Sequence, residues 1–103
     1  MVYTEYVGFA WDLRKALSNV DKHGIPFELA ITAFDDPFFM IAPDETHSTP
    51  DERREWLIGE SDLGVLVVVF TLRERGLTRR IISARRANKK ERRRYEEGRG
   101  ISV

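Results

Sequence analysis

The chain has 103 residues, 42% hydrophobic and 33% charged, which is room for one globular domain and too little for two. Its longest unbroken apolar run, Val65 to Phe70, falls far short of the roughly 20 residues of a membrane span. The absence of cysteine excludes disulfides, thiolate metal sites and cysteine nucleophiles, and the zero net charge hides a segregation, with residues 1–72 summing to −8 and residues 73–103 to +8.

Met1-Val2-Tyr3-Thr4-Glu5 does not open like a secretory signal. Together with the missing cysteines this sets a cytoplasmic location as the expectation. A strand over Tyr3 to Phe9 is the first candidate element. Asp12 to Lys22 reads as a helix, because Leu13, Ala16, Leu17 and Val20 recur at helical spacing on one face. Asp12 suits its N-cap, and Gly24 followed by Pro26 stops it. A second short helix starts at Pro26 or Phe27, carries Phe27, Ala30, Ile31 and Phe34 on one face, and ends at Asp35-Asp36-Pro37. Both helices are amphipathic and need a surface to cover.

That surface reads as a sheet. Phe38 to Ala42 is a short strand candidate, followed by a polar loop from Pro43 to Asp51. Arg54, Trp56 and Ile58 alternate with Arg53, Glu55 and Leu57, a half-buried strand pattern. Val65 to Leu72 is β-branched and aromatic and suits a central strand. After the turn at Glu74-Arg75-Gly76, Thr78 to Ala84 makes the next strand, and the short turns predict an antiparallel meander. Asn88 with Glu91 three residues on is a capping box for a basic C-terminal helix. Tyr95 is its only large apolar group, so that helix either lies in solvent or waits for a partner. The expected fold is α+β: a small antiparallel sheet of about three to five strands packed by two N-terminal helices, with the basic helix at the end. The chain is expected to be one domain, 1–103, with 98–103 a flexible tail.

The basic residues carry the strongest hint of chemistry. Simple strand parity puts Arg79, Ile81, Ser83 and Arg85 on one face and Arg80, Ile82, Ala84 and Arg86 on the other. Arg73, one of Arg79 and Arg80, and Arg85 can then meet at one end of the sheet beside the basic helix. Such a cluster binds phosphate oxygens; the plainer reading is a set of solvated edge charges. His23 follows a helix, where a cation is favoured. His47 lies in the polar loop beside Asp44, Glu45, Ser48, Asp51 and Glu52, as a general acid or base or simply as a surface histidine. That loop lacks a calcium-type spacing, and no metal site or cofactor is expected. Trp11 and Trp56 suit core anchors better than base-stacking platforms.

Blocks along nearly the whole chain resemble the BrnT family. Near the start these are Phe9-Ala10-Trp11-Asp12, Lys22-His23-Gly24-Ile25, Phe27-Glu28 and Ala33-Phe34-Asp35-Asp36-Pro37. The middle adds Asp44, His47-Ser48, Glu52-Arg53, Ile58-Gly59, Ser61, Leu66-Val67 and Thr71. The closing run from Arg80 to Ala87, then Glu91-Arg92 and Tyr95-Glu96, is the most specific. The sequence departs from the pattern at Pro26, where a capping Ser is usual, and in the extended turn from Arg73 to Leu77.

The resemblance implies a RelE-like fold and a toxin of a type II toxin–antitoxin module. It implies metal-independent RNA cleavage that inhibits translation. The expected partner is a BrnA-type ribbon-helix-helix antitoxin in a heterotetramer, with DNA reached only through that antitoxin and no membrane contact. Cleavage by the ribose 2′-OH needs a proton acceptor, charge stabilisation at phosphorus and a proton donor. The candidates are Glu52 or His47 as base and His47 or Tyr95 as acid. Arg53, Arg73, Arg80 and Arg85 are the candidates for charge stabilisation, and Lys89, Lys90, Arg92 and Arg93 for the RNA backbone. The competing class is a non-catalytic module that binds protein or nucleic acid and acts with an antitoxin in repression.

Overall fold

The computed structural model describes residues 3–6 and 8–100. A hairpin opens the chain: β1 (Tyr3–Tyr6) and β2 (Phe9–Asp12) pair antiparallel. The candidate strand over Tyr3 to Phe9 is thus split, and its Val7 lies outside the described residues. Helix α1 (Leu13–His23) follows at once. The Asp12 carboxylate accepts from the Arg14 N–H at 2.8 Å, and Gly24, at φ +68°, turns left-handed so that its N–H closes on the Val20 carbonyl. Helix α2 (Phe27–Ala30) starts behind Pro26 and continues as a 3-10 helix, Ile31–Asp35. Strands β3 (Met40–Pro43), β4 (Arg54–Ser61), β5 (Gly64–Arg73) and β6 (Thr78–Arg86) come next, and α3 (Lys89–Gly98) ends the fold. The expected tail therefore begins with the last residue of a helix, and 101–103 lie outside the described residues.

The strands form one six-stranded sheet in the order β1-β2-β6-β5-β4-β3. The last three strands, β4 to β6, make the expected antiparallel meander, and β3 pairs antiparallel with β4 across the polar loop. The sheet as a whole is larger than expected, and it is mixed. β2 lies parallel to β6, with Phe9 opposite Arg79 and Ala10 opposite Arg80. This pairing joins the two ends of the chain, which no local pattern reveals.

Directly opposed residues share a face. One face carries Leu57, Leu66, Val68, Phe70, Ile81 and Ala84, and packs on Trp11, Ala16, Ile25, Phe27, Ala30 and Ala33 from the N-terminal half. The rings of Trp11 and Phe27, and of Phe34 and Phe70, meet edge to face. Arg79 closes the end of this core, its guanidinium over the rings of Phe9 and Phe34.

Helix α1 does not pack as its apolar stripe predicts. Leu13, Leu17 and Val20 are exposed, while Ala16 and Asn19 are buried. Asn19 holds the helix to the sheet through hydrogen bonds. Its side-chain N–H groups donate to the carbonyls of Ile25 (2.9 Å) and Ala84 (2.8 Å), and its oxygen accepts from the Ala84 N–H at 3.0 Å. The side chain thus satisfies the edge of β6 beyond the reach of β2.

The second face of the sheet is covered only in part. Ile58, Val67, Ala87 and Tyr95 form a smaller core, with Trp56 and Val65 against it. Helix α3 is therefore docked on the sheet of its own chain, where the sequence leaves it either in solvent or waiting for a partner. Tyr95 is 1% exposed and donates its hydroxyl to Asp36, which also accepts from the N–H groups of Phe38 (2.9 Å) and Glu60 (2.7 Å). The capping box forms as expected, with Asn88 and Glu91 bonding reciprocally at 2.8 Å. The buried Tyr95, its hydroxyl bond to Asp36 and the contact of Glu91 with Arg85 on β6 do the work of a wide apolar face.

Candidate active site

The uncovered part of the second face forms the floor of a cavity of about 490 Å³. Trp56 on β4, Val67 and Val69 on β5 and Ser83 on β6 lie across the floor. The walls are Asp44 and His47 from the β3–β4 loop, Arg54 at the start of β4, His23 at the end of α1, and Arg85 with Glu91.

The β3–β4 loop is held tightly. The Asp44 N–H donates to the Arg54 carbonyl, and the Arg54 N–H to the Ser48 hydroxyl, both at 2.8 Å. Ser48 in turn donates to the Asp44 carbonyl at 2.7 Å. Thr49 and Glu52 exchange backbone hydrogen bonds. Nδ1 of His47 stands 3.0 and 3.1 Å from the two Asp44 oxygens. A carboxylate only accepts, so Nδ1 donates, and Nε2 of the neutral ring is the basic atom.

The arginines divide into two groups. Glu52 gathers the first: Arg54 Nε at 3.0 Å, Arg73 Nη2 at 3.0 Å and Arg80 Nη1 at 4.0 Å. Burial pushes the Glu52 carboxyl up. The hydrogen bond from Arg54 and the charges of Arg54, Arg73 and Arg80 outweigh it and hold the group below the ordinary range. Glu52 is thus an anchor for three cations and a weak base. Arg85 forms the second group with Glu91, a two-pronged contact at 2.7 and 2.8 Å. This contact raises Arg85 and lowers Glu91 from their ordinary values. The two groups lie some four residues apart along β5, about 13 Å, since Arg80 stands opposite Thr71 and Arg85 opposite Val67.

A bulge sets this arrangement. Val69 faces Ser83, but Phe70 faces Ile81, so Ile82 is an extra residue in β6. Simple parity separates Arg80 from Arg85. The bulge puts both on the open face and leaves Arg79 on the helix-covered one. The expected single cluster of Arg73, one of Arg79 and Arg80, and Arg85 does not form: Arg73 and Arg80 meet at Glu52, Arg85 meets Glu91, and Arg79 lies over Phe9 and Phe34.

The remaining candidates are spread more widely. Arg53 is exposed, and its carbonyl accepts from the Thr71 hydroxyl at 2.8 Å. Tyr95 is in the core and not in the cavity wall; burial and the Asp36 hydrogen bond push its hydroxyl up to about 12, which removes it as a ready proton donor. Lys89, Lys90, Arg92 and Arg93 are exposed on α3, the helix that supplies Glu91 to the wall. Arg54, Asp44 and His23 are wall residues that do not stand among the catalytic candidates from the sequence. Arg54 shares the parity of Trp56 and Ile58, which was the available signal. Among the described residues no group of three or more His, Cys, Asp or Glu is placed to hold a metal ion, and no helix is long and apolar enough to cross a membrane.

The model of the family described as ribonuclease toxin, BrnT, of type II toxin-antitoxin system matches residues 11–91. The chain belongs to the BrnT family. The matched span holds His23, Asp44, His47, Glu52, Arg54, Arg80, Arg85 and Glu91, and so the whole wall of the cavity. Membership makes this a toxin-family protein of a type II system, with ribonuclease activity assigned at the level of the family and an antitoxin as its kind of partner. No curated protein matches the chain.

Proposed function

We propose that this BrnT protein is a metal-independent endoribonuclease whose cavity on the open sheet face is the active site. The observation that carries this reading is the His47–Asp44 pair at the rim of a cavity that also presents Arg54 and Arg85. His47 Nε2 takes the proton of a ribose 2′-OH. The 2′-oxygen attacks the adjacent phosphorus. Arg54 and Arg85 hold the phosphate oxygens as charge builds on them, while Glu52 positions Arg54, Arg73 and Arg80. Trp56 offers a flat apolar surface to a nucleotide base. Lys89, Lys90, Arg92 and Arg93 take the flanking backbone by salt-sensitive contacts.

In this reading the fold is a RelE-like variant, and the protein acts in the cytoplasm to inhibit translation. Its partner is a BrnA-type ribbon-helix-helix antitoxin in a heterotetramer, which carries any DNA contact. The test is brief expression of the chain without an antitoxin, followed by mapping of RNA ends. The expected result is growth arrest with fragments ending in 2′,3′-cyclic phosphate, both lost in His47→Ala. Arrest without cleavage supports the non-catalytic module instead.

A further inference from the structure

The chain has two histidines, and both line the same cavity. His47 stands at the β4 margin of the floor, on the β3–β4 loop. His23 stands at the β6 margin, because α1 is fastened to β6 through Asn19 and Ala84. The floor between them spans β4, β5 and β6, which is two inter-strand spacings or about 10 Å. That width takes a ribose and its 3′-phosphate.

We infer that His23 is the proton donor to the leaving 5′-oxygen, paired with His47 as the acceptor. This inference rests on the reading of the cavity as a ribonuclease site. Three features favour the assignment of roles. His47 is oriented by Asp44 through Nδ1, the arrangement of an acceptor. His23 is in the last turn of α1, at the carbonyl end of the helix, where a cation is favoured. Its ring is not needed to end the helix, because the Gly24 N–H closes on Val20. The other charged groups in the wall are Asp44, Arg54, Arg85 and Glu91, and Lys22 and Asp21 flank His23 in sequence. The wall carboxylates are both occupied. Asp44 is taken by His47, and Glu91 is an ionised carboxylate bound to Arg85.

The step balances. The 2′-OH gives its proton to His47 Nε2, and the 2′-oxygen forms a bond to phosphorus. The bond from phosphorus to the 5′-oxygen breaks, and that oxygen keeps the electron pair and takes a proton from the His23 imidazolium. The products are a 2′,3′-cyclic phosphate and a 5′-hydroxyl, with His47 protonated and His23 neutral. Exchange with water resets both rings.

The test uses a sulfur atom in place of the bridging 5′-oxygen at the cleaved linkage, as located by end mapping. A thiolate leaves without protonation, so this RNA bypasses the donor. His23→Asn is expected to slow cleavage of ordinary RNA by about 10²- to 10⁴-fold and to cleave the sulfur-bridged RNA at close to the wild-type rate. His47→Ala is expected to be slow on both. If His23→Asn cleaves ordinary RNA at the wild-type rate, or is equally slow on both substrates, His23 is not the donor. Failure of the folded wild-type protein to cleave either RNA overturns the ribonuclease reading itself, and this inference with it.

Discussion

Glu52→Ala tests whether one carboxylate organises the arginines beside the cavity. The side chain of Arg73 is 44% exposed, so its pair with Glu52 contributes only about 0–1 kcal/mol. Arg54 and Arg80 are more enclosed, at 28% and 14%. A charged hydrogen bond in such a place contributes about 1.5–3 kcal/mol, and its loss leaves three cations facing one another. The variant should lose about 2–3 kcal/mol, or roughly 10–20 °C in Tm. The pH dependence has a fixed sign. Glu52 is held below its ordinary value of 4.5 in the folded protein, so its contribution is fully present above that pH and fades as pH falls through the lower folded value. Thermal unfolding followed by circular dichroism from pH 7 downward should show wild type and variant converging in acid. Cleavage should fall about tenfold or more, since Arg54 loses its anchor. An unchanged Tm at pH 7, or a gap that persists undiminished at the acid end, would refute the reasoning.

Other substitutions follow from the packing. Asn19→Ala removes three hydrogen bonds from a residue that is 4% exposed and strands the Ala84 N–H and carbonyl; urea unfolding should show a loss of about 2–4 kcal/mol, and a loss below half a kcal/mol would mean that α1 is held by something else. A Cβ at Gly59 would meet the Ala33 carbonyl oxygen at 2.7 Å and Leu57 Cδ2 at 3.1 Å, so Gly59→Ala should destabilise by about 1–3 kcal/mol, whereas Gly64→Ala meets no neighbouring atom and is disfavoured only by its positive φ. Tyr95→Phe leaves Asp36 its two backbone donors and should cost about 1 kcal/mol with cleavage intact, which a proton-donor role for that hydroxyl would not allow.

Much of the frame was legible because its signals are local. The start of α1 at Asp12, its end at Gly24, the entry of α2 at Pro26 and the capping box at Asn88 and Glu91 each depend on residues within one helical turn. The alternation around Arg54, Trp56 and Ile58 described β4 in the same way. What escaped is long-range. The periodicity of Leu13, Ala16, Leu17 and Val20 identifies a helix, but not that Asn19 turns toward the sheet and leaves most of the stripe exposed. The parallel pairing of β2 with β6 joins residues seventy positions apart. The extra residue at Ile82 has no glycine or proline to announce it, yet it decides which arginines share a face. In the sequence Tyr95 stands as the lone large apolar group of its helix and a candidate proton donor; its partner Asp36, 59 residues away, makes it a core residue.

The central claim is that RNA is cleaved in the cavity floored by Trp56, Val69 and Ser83, and single-turnover cleavage by Arg54→Ala tests it most directly. The folded variant should be slower by about 10²- to 10³-fold, the cost of one lost contact to the developing phosphate charge. Arg14→Ala, which changes an exposed charge on α1 outside the cavity wall, should match the wild type. Wild-type cleavage by folded Arg54→Ala would contradict the account.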